Sequence, residues 1–237
     1  MLIEHRAYTP RPGQLDAFLA AQVERGFAPI QPVLDRLIGY FIVLGGPVDQ
    51  IVHLYRFDSY DDWVQRLHGL YGRPELQSYF VKVRPMMLAQ ENKFLLPAPL
   101  EALTPVWGNG NDWLPGQPIP SHAALSREAI VEEVTTTMMP GGAPVFWDAF
   151  REEALRAGGL ATAHGFACFS SIVGRLHQIV QYRVFPDYAT CEAHAHALRA
   201  NAHWRAMQQR IAPVTASVER KLMTPAPRAE MSPLVIG

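Results

Sequence analysis

Residues Leu2 to Tyr8 alternate in polarity and size, with Ile3, His5 and Ala7 on one face and Glu4, Arg6 and Tyr8 on the other, until Pro10, Pro12 and Gly13 break the run. That spacing predicts a strand followed by a turn. From Gln14 the apolar positions Leu15, Phe18, Leu19 and Val23 fall at helical intervals, toward Pro29 or Pro32. Leu37 to Leu44 is apolar and rich in aromatic and branched residues. Gly45-Gly46-Pro47 then turns the chain into Gln50 to Phe57, which together read as a β-hairpin. Asp58-Ser59 can cap a second helix carrying Tyr60, Trp63, Val64, Leu67 and Leu70. After Arg73-Pro74 the helical spacing resumes with Leu76, Tyr79, Phe80 and Val83, and Leu88 to Leu96 closes the unit as a strand. The order β-α-β-β-α-β is a split βαβ arrangement: a four-stranded antiparallel sheet with both helices on one face.

The same plan then returns. Gln50-Ile51-Val52 recurs as Gln178-Ile179-Val180, an offset of 128, and further identities keep that register without a gap. Among them Glu4 meets Glu132, Pro12-Gly13 meets Pro140-Gly141, Phe18 meets Phe146, Phe41 meets Phe169, and Pro97-Ala98-Pro99 meets Pro225-Ala226-Pro227. The second unit has a strand at Ile130 to Thr137 and a helix from Pro144 through Leu155. Hairpin strands follow near Phe166 to Ile172 and Gln178 to Phe185, then helices from Tyr188 to about Ile211 and a strand near Val218 to Met223. The chain is therefore a tandem duplication of a unit of roughly 100 residues, the size of a small domain. The expected limits are 1–99 for the first repeat, 100–128 for a Pro/Gly-rich linker, 129–227 for the second repeat and 228–237 for a patternless tail. Trp107 and Trp113 in the linker argue against simple disorder, because large apolar side chains find something to cover.

Composition narrows the function classes. With 237 residues, 49% hydrophobic and 18% charged, the chain can bury two modest cores or one shared core. A formal net charge of −1 provides no basic field for nucleic acid or anionic lipid, so neither is an expected partner. The amino terminus places Glu4, His5 and Arg6 where a signal peptide needs an apolar run, and the expected location is cytoplasmic. Cys168 and Cys191 have no partners at metal-ligand spacing and read as buried free thiols.

The opening Glu4-His5-Arg6-Ala7-Tyr8 with Pro12-Gly13, the strand Val52-His53-Leu54-Tyr55-Arg56-Phe57, and the endings Glu91-Asn92-Lys93-Phe94-Leu95-Leu96-Pro97 and Glu219-Arg220-Lys221-Leu222-Met223-Thr224-Pro225 resemble the NIPSNAP family. The likeness covers both repeats, nearly everything outside linker and tail. It implies the ferredoxin-like, dimeric α/β-barrel superfamily, whose members pair two such sheets face to face and often bind a small molecule between them. Most members of the family have no assigned reaction; some are linked to small-molecule or polyketide metabolism, and related barrels range from cofactor-free monooxygenases to haem enzymes. The expected fold is thus α+β: two tandem ferredoxin-like repeats whose antiparallel sheets pack as an intrachain α/β barrel. Each sheet has a face that helices do not cover, and a linker of about 30 residues spans the distance. The resemblance also implies self-association into a homo-oligomer.

The helix-covered face of a sheet is apolar. In the second repeat Val180, Tyr182 and Val184 form the apolar set, matching Val52, Leu54 and Arg56, so Ile3 and Ala7 are expected to face the helices. Glu4, Arg6, Tyr8, His53 and Tyr55 would then look into the barrel cavity, with Glu132, Gln181 and Arg183 as the partly substituted mirror set that helps bind substrate. Such a group offers acids, a base with a near-neutral pKa and hydrogen-bond donors for an enolate or phenolate. The expected activity is cofactor-independent acid/base chemistry on a carbonyl or aromatic compound, or binding of one, in secondary or catabolic metabolism. His53 or Glu4 is the candidate base, Arg6 orients an oxygen, and Tyr8 or Tyr55 donates. The site is expected mainly in the first repeat, since Val134, Thr136 and Gln181 replace Arg6, Tyr8 and His53. The competing reading is a structural or interaction protein whose polar face is architectural. His194, His196 and His203 share a helical segment, but 194 and 196 point apart and 196 to 203 spans two turns, so no metal is expected there. No spacing singles out a haem ligand, and no Gly-rich phosphate loop follows a strand.

Overall fold

The computed structural model describes residues 1–108 and 110–236; Asn109 of the linker and Gly237 of the tail lie outside the described residues. Along the first repeat run β1 (Leu2–Pro10), α1 (Leu15–Arg25), α2 (Gln31–Leu34), β2 (Leu37–Gly45), β3 (Ile51–Phe57), α3 (Tyr60–Tyr71), α4 (Gln77–Val83) and β4 (Met87–Pro97). The linker contributes the short strands β5 (Trp107–Gly108) and β6 (Asn111–Asp112). The second repeat follows with β7 (Ile130–Met138), α5 (Gly142–Glu152), β8 (Gly165–Val173), β9 (Gln178–Phe185), α6 (Tyr188–Ala200), α7 (Ala202–Ile211) and β10 (Thr215–Pro225).

Local chemistry repeats as faithfully as the sequence. Ser59 Oγ accepts from the Asp62 amide at 3.1 Å to cap α3, and Asp187 Oδ1 accepts from the Thr190 amide at 2.7 Å to cap α6. Each such cap contributes about 1 kcal/mol. Both repeat hairpins turn through a non-glycine residue in the left-handed region, Asp49 at φ 62° and His177 at φ 61°. Asp and His are among the side chains that tolerate it best.

The two sheets face each other across an interior and also join at their edges. The order β1-β3-β2-β10-β7-β9-β8-β4 is a closed, antiparallel barrel. Its two seams are equivalent: Pro225 pairs with Phe41 where β10 meets β2, and Pro97 pairs with Phe169 where β4 meets β8. The fold class is therefore as expected, an α+β chain of two ferredoxin-like repeats forming one barrel.

The facing of the strands is not as expected. Ile3, Val52, Leu54, Val131, Val180 and Met223 point into the barrel, where they pack with Phe41, Phe166 and Phe169. The faces under the helices carry Leu2, Ile51, Tyr55 and Phe57 in the first repeat and Met138, Cys168 and Ile179 in the second. Glu4, Arg6, Tyr8, His53 and Tyr55 do share one face, but it is the helix-covered one. The rule that the helix side must be the more apolar assumes one wet face, and closing the barrel buries both.

Linker and tail complete the interior. Trp107 is fully buried, its indole N–H donates to the Trp113 carbonyl at 2.9 Å, and both rings join the barrel core with Leu125 and Leu234. Arg56 reaches out of β3 to both carboxylate oxygens of Asp112 in β6, tying the linker hairpin to the barrel. The tail pairs with the linker through the Leu125 amide on the Leu234 carbonyl at 2.9 Å and the Ile236 amide on the Leu125 carbonyl at 2.8 Å. The region after Pro227, which shows no periodicity in the sequence, is thus ordered by individual contacts, and Met231 enters the first-repeat core.

Candidate functional site

Between the outer face of the first repeat's sheet and its helices lies a cavity of about 140 Å³. Arg6 and Tyr8 reach it from β1, Tyr40 from β2, and His53 and Tyr55 from β3. Gln22 and Arg25 come from α1, Leu70 and Tyr71 from α3, and Tyr79 and Val83 from α4. The register of β1 against β3, which sets Arg6 opposite His53 and Glu4 opposite Tyr55, gathers the polar groups at one spot.

His53 is the centre of the arrangement. Its Nδ1 lies 3.0 Å from the Tyr55 hydroxyl, and its ring sits between Tyr8 and Tyr40, both with centroids at 4.6 Å. Burial pushes its pKa well below the usual histidine value, and the positive charge of Arg6 pushes the same way, so the ring is neutral at pH 7. With Nδ1–H donating to Tyr55, Nε2 is a bare acceptor; with Tyr55 donating to Nδ1, Nε2 carries the proton. Burial also raises the Tyr8, Tyr40 and Tyr55 hydroxyls, and brings Tyr79 up to about 12, so these phenols are donors at neutral pH.

Arg6 forms an ion pair with Glu4, its Nε 2.8 Å from Oε1, and stacks over Tyr55 with its guanidinium carbon 5.0 Å from the ring centroid. Burial works against its charge, but Glu4, Tyr8 and Tyr55 overcome that and hold it firmly protonated. Glu4 itself is fully buried behind Arg6, next to Asn92 at 3.3 Å, and does not line the cavity. Of the two candidate bases only His53 reaches it. Three buried donor or acceptor atoms on residues of this cavity, Arg6 Nη2, Arg25 Nη2 and His53 Nε2, make no hydrogen bond among the described residues.

The mirror set is not in the same place. Glu132, Gln181 and Arg183 lie on the second repeat's helix-covered face, where Glu132 bridges Arg183 at 3.0 Å and Arg220 at 2.6 Å. The barrel separates the two sets, so they do not build one site. His194 is buried beside His164, with ring centroids 5.3 Å apart, whereas His196 and His203 are exposed. Cys168 and Cys191 are buried free thiols.

Several groups escaped the sequence pattern. Gln22, Arg25 and Tyr79 come to the cavity from helices, and their helical positions next to apolar partners were the only available signal. Inside the barrel, His5 Nε2 meets Glu133 Oε2 at 2.9 Å, Tyr182 donates to the same oxygen at 2.7 Å, and Lys221 lies 3.4 Å from Oε1. His5 and Glu133 occupy the same position in their repeats, but as unlike residues they leave no trace in a search for identities. They floor a polar mouth of about 280 Å³ rimmed by Lys93, Arg175 and Glu219.

Fold and cavity define an α+β barrel of two ferredoxin-like repeats with helix-covered spaces on its outside. The chain belongs to the NIPSNAP family, whose model matches residues 3–101 and again residues 131–230. A NIPSNAP family protein from Agrobacterium tumefaciens str. C58 is 31% identical over 42% of this chain and 94% of its own, with a TM-score of 0.40. An uncharacterized NIPSNAP-like domain protein from Burkholderia xenovorans is 32% identical over 50% of this chain and 95% of its own, with a TM-score of 0.41. An anthrone oxidase-like protein shares the fold of the whole barrel, with a TM-score of 0.59 over 95% of this chain and 91% of its own at 13% identity. Comparison with curated proteins finds no match. Among the described residues no helix is long and apolar enough to cross a membrane.

Proposed function

We propose that the first-repeat cavity binds a small, single-ring aromatic compound bearing a phenolic or carbonyl oxygen, and that His53 exchanges a proton with it. The observation that carries this reading is that three residues lining this largely aromatic cavity carry a buried polar atom with no partner among the described residues: Arg6 Nη2, Arg25 Nη2 and His53 Nε2. A buried donor or acceptor without a partner costs about 1–3 kcal/mol, so an oxygen atom supplied to any of the three, by a guest or by an ordered water, is favoured there. Size sets the class of guest: about 140 Å³ is close to the roughly 150 Å³ that holds a benzene-sized molecule. Aromatic walls from Tyr8, Tyr40, Tyr55 and Tyr79 suit a flat ring. The neutral His53 imidazole is the group able to share a phenolic proton through a hydrogen bond, and the Arg6 guanidinium offsets the cost of moving that proton by stabilising the oxygen anion that results. No step in this scheme calls for a cofactor.

The test is calorimetric titration with phenol, 4-hydroxybenzaldehyde and benzene. The oxygenated rings are expected to bind at least about tenfold more tightly than benzene, the worth of one hydrogen bond to a charged group, and His53→Gln is expected to erase that preference. Equal affinity for benzene, or no binding of any of the three, would contradict the proposal. The expected self-association finds support in exposed apolar side chains at the hairpins, Leu44 and Val48 in one repeat and Ile172 and Leu176 at the same positions of the other. A monomer by light scattering would count against it.

A further inference from the structure

A second groove, of about 670 Å³, lies between the outer face of the second repeat's sheet and α6 and α7. Apart from Arg205, whose counterpart Gln77 does not line the first cavity, its lining residues fall on first-cavity positions at the offset of 128. Val134 stands for Arg6, Thr136 for Tyr8, Gln181 for His53, Arg183 for Tyr55 and Arg199 for Tyr71. Duplication has kept the place and exchanged the chemistry. The neutral phenols and imidazole of the first repeat are replaced here by guanidinium and amide groups.

The charge in this groove is not balanced. Arg183 is neutralised by Glu132 and sits beside Trp204, its guanidinium carbon 5.9 Å from the ring centroid. Arg199 and Arg205 also line the groove, and among the described residues neither forms a salt bridge. Gln181 and Thr136 are buried on the floor, and among the described residues their side chains make no hydrogen bond. Beside them Phe146, Ile211 and Trp204 offer an apolar wall.

We propose that this groove is a second binding site, selective for a small carboxylate with a flat apolar body. The carboxylate is held between Arg199 and Arg205, whose guanidinium forks match its geometry, and the body lies against Trp204, Phe146 and Ile211. Gln181 and Thr136 receive any polar substituent at the inner end. The groove's volume admits a two-ring body that the first cavity is too small to take.

The test is calorimetric titration with 2-naphthoate, using 2-naphthol, uncharged at neutral pH, as comparator. Four expectations must all hold. Naphthoate binds the wild-type protein saturably; naphthol binds at least about tenfold more weakly; Arg199→Gln with Arg205→Gln weakens naphthoate at least about tenfold; and raising the salt concentration weakens it further. Both arginines are exposed, so the double variant leaves the core untouched. A third variant, Val33→Phe, fills the first cavity and is expected to leave naphthoate affinity unchanged. Absence of saturable binding, indifference to the double substitution or to salt, equal binding of naphthol, or loss of binding in Val33→Phe would each overturn the proposal.

Discussion

At the residue scale, His53 is both buried and touched by charge. Burial and Arg6 hold it neutral in the folded chain, whereas an unfolded histidine titrates near 6.5. The sign follows: between about pH 6.5 and the lower folded value the unfolded chain binds the extra proton, so stability is lost as pH falls through that window. His5, lowered mainly by burial, and His194, lowered to about 4 by burial and the nearby Arg183, act in the same direction. So does Glu133, which His5, Lys221 and Lys93 hold below the usual carboxylate range against the effect of burial; its contribution is present above about 4.5 and lost below. Urea midpoints are expected to fall steadily from about pH 7 to about pH 5, and His53→Gln is expected to flatten that slope; a flat profile in the wild type would contradict the pKa assignments. If the site is a reactive one, removing the His53 base should lower turnover by about 10²- to 10⁴-fold while Thr136→Val in the second repeat changes nothing. Grouping Glu4, Arg6, Tyr8, His53 and Tyr55 on one face needed only the two-residue period of a strand, so it was legible in the sequence. Which side of the sheet that face meets was not, because Ile3 and Val52 on one side and Leu2 and Ile51 on the other are all buried.

At the scale of elements, strands and helices were legible where a period repeats, and the linker and tail were not. Their order rests on single events: the Trp107 N–H on the Trp113 carbonyl, the Arg56 clasp on Asp112, and the Ser232 hydroxyl on the Ala226 carbonyl at 2.9 Å. None of these has a spacing that a pattern could reveal. They nonetheless close one end of the barrel, so the linker is part of its core. Trp107→Ala is expected to cost about 3–5 kcal/mol in urea unfolding, the range for deleting a large buried aromatic. A change below about 1 kcal/mol would mean that the linker only covers the barrel without supporting it.

At the scale of the whole molecule, duplication followed by edge-to-edge closure gives one barrel and two helix-covered spaces that are no longer equivalent. The seams β2 to β10 and β4 to β8, together with a core cluster drawn from both repeats, make the two halves interdependent. Thermal or urea unfolding followed by tryptophan fluorescence and by far-ultraviolet circular dichroism should therefore give a single coincident transition, and two separated transitions would contradict the shared core. Asymmetry is what makes the first repeat the candidate site: its cavity is small and aromatic, and three of its lining residues carry a buried polar atom unpartnered among the described residues, whereas its counterpart is wide and cationic. The most direct test of that claim is a crystal structure of the protein soaked with 4-hydroxybenzaldehyde. The expected result is density for one ring under α1, α3 and α4, with an oxygen within hydrogen-bond distance of His53 Nε2 or Arg6 Nη2. Density instead in the polar mouth beside His5 and Lys93, or no density in the first-repeat cavity at a concentration that saturates binding in solution, would contradict it.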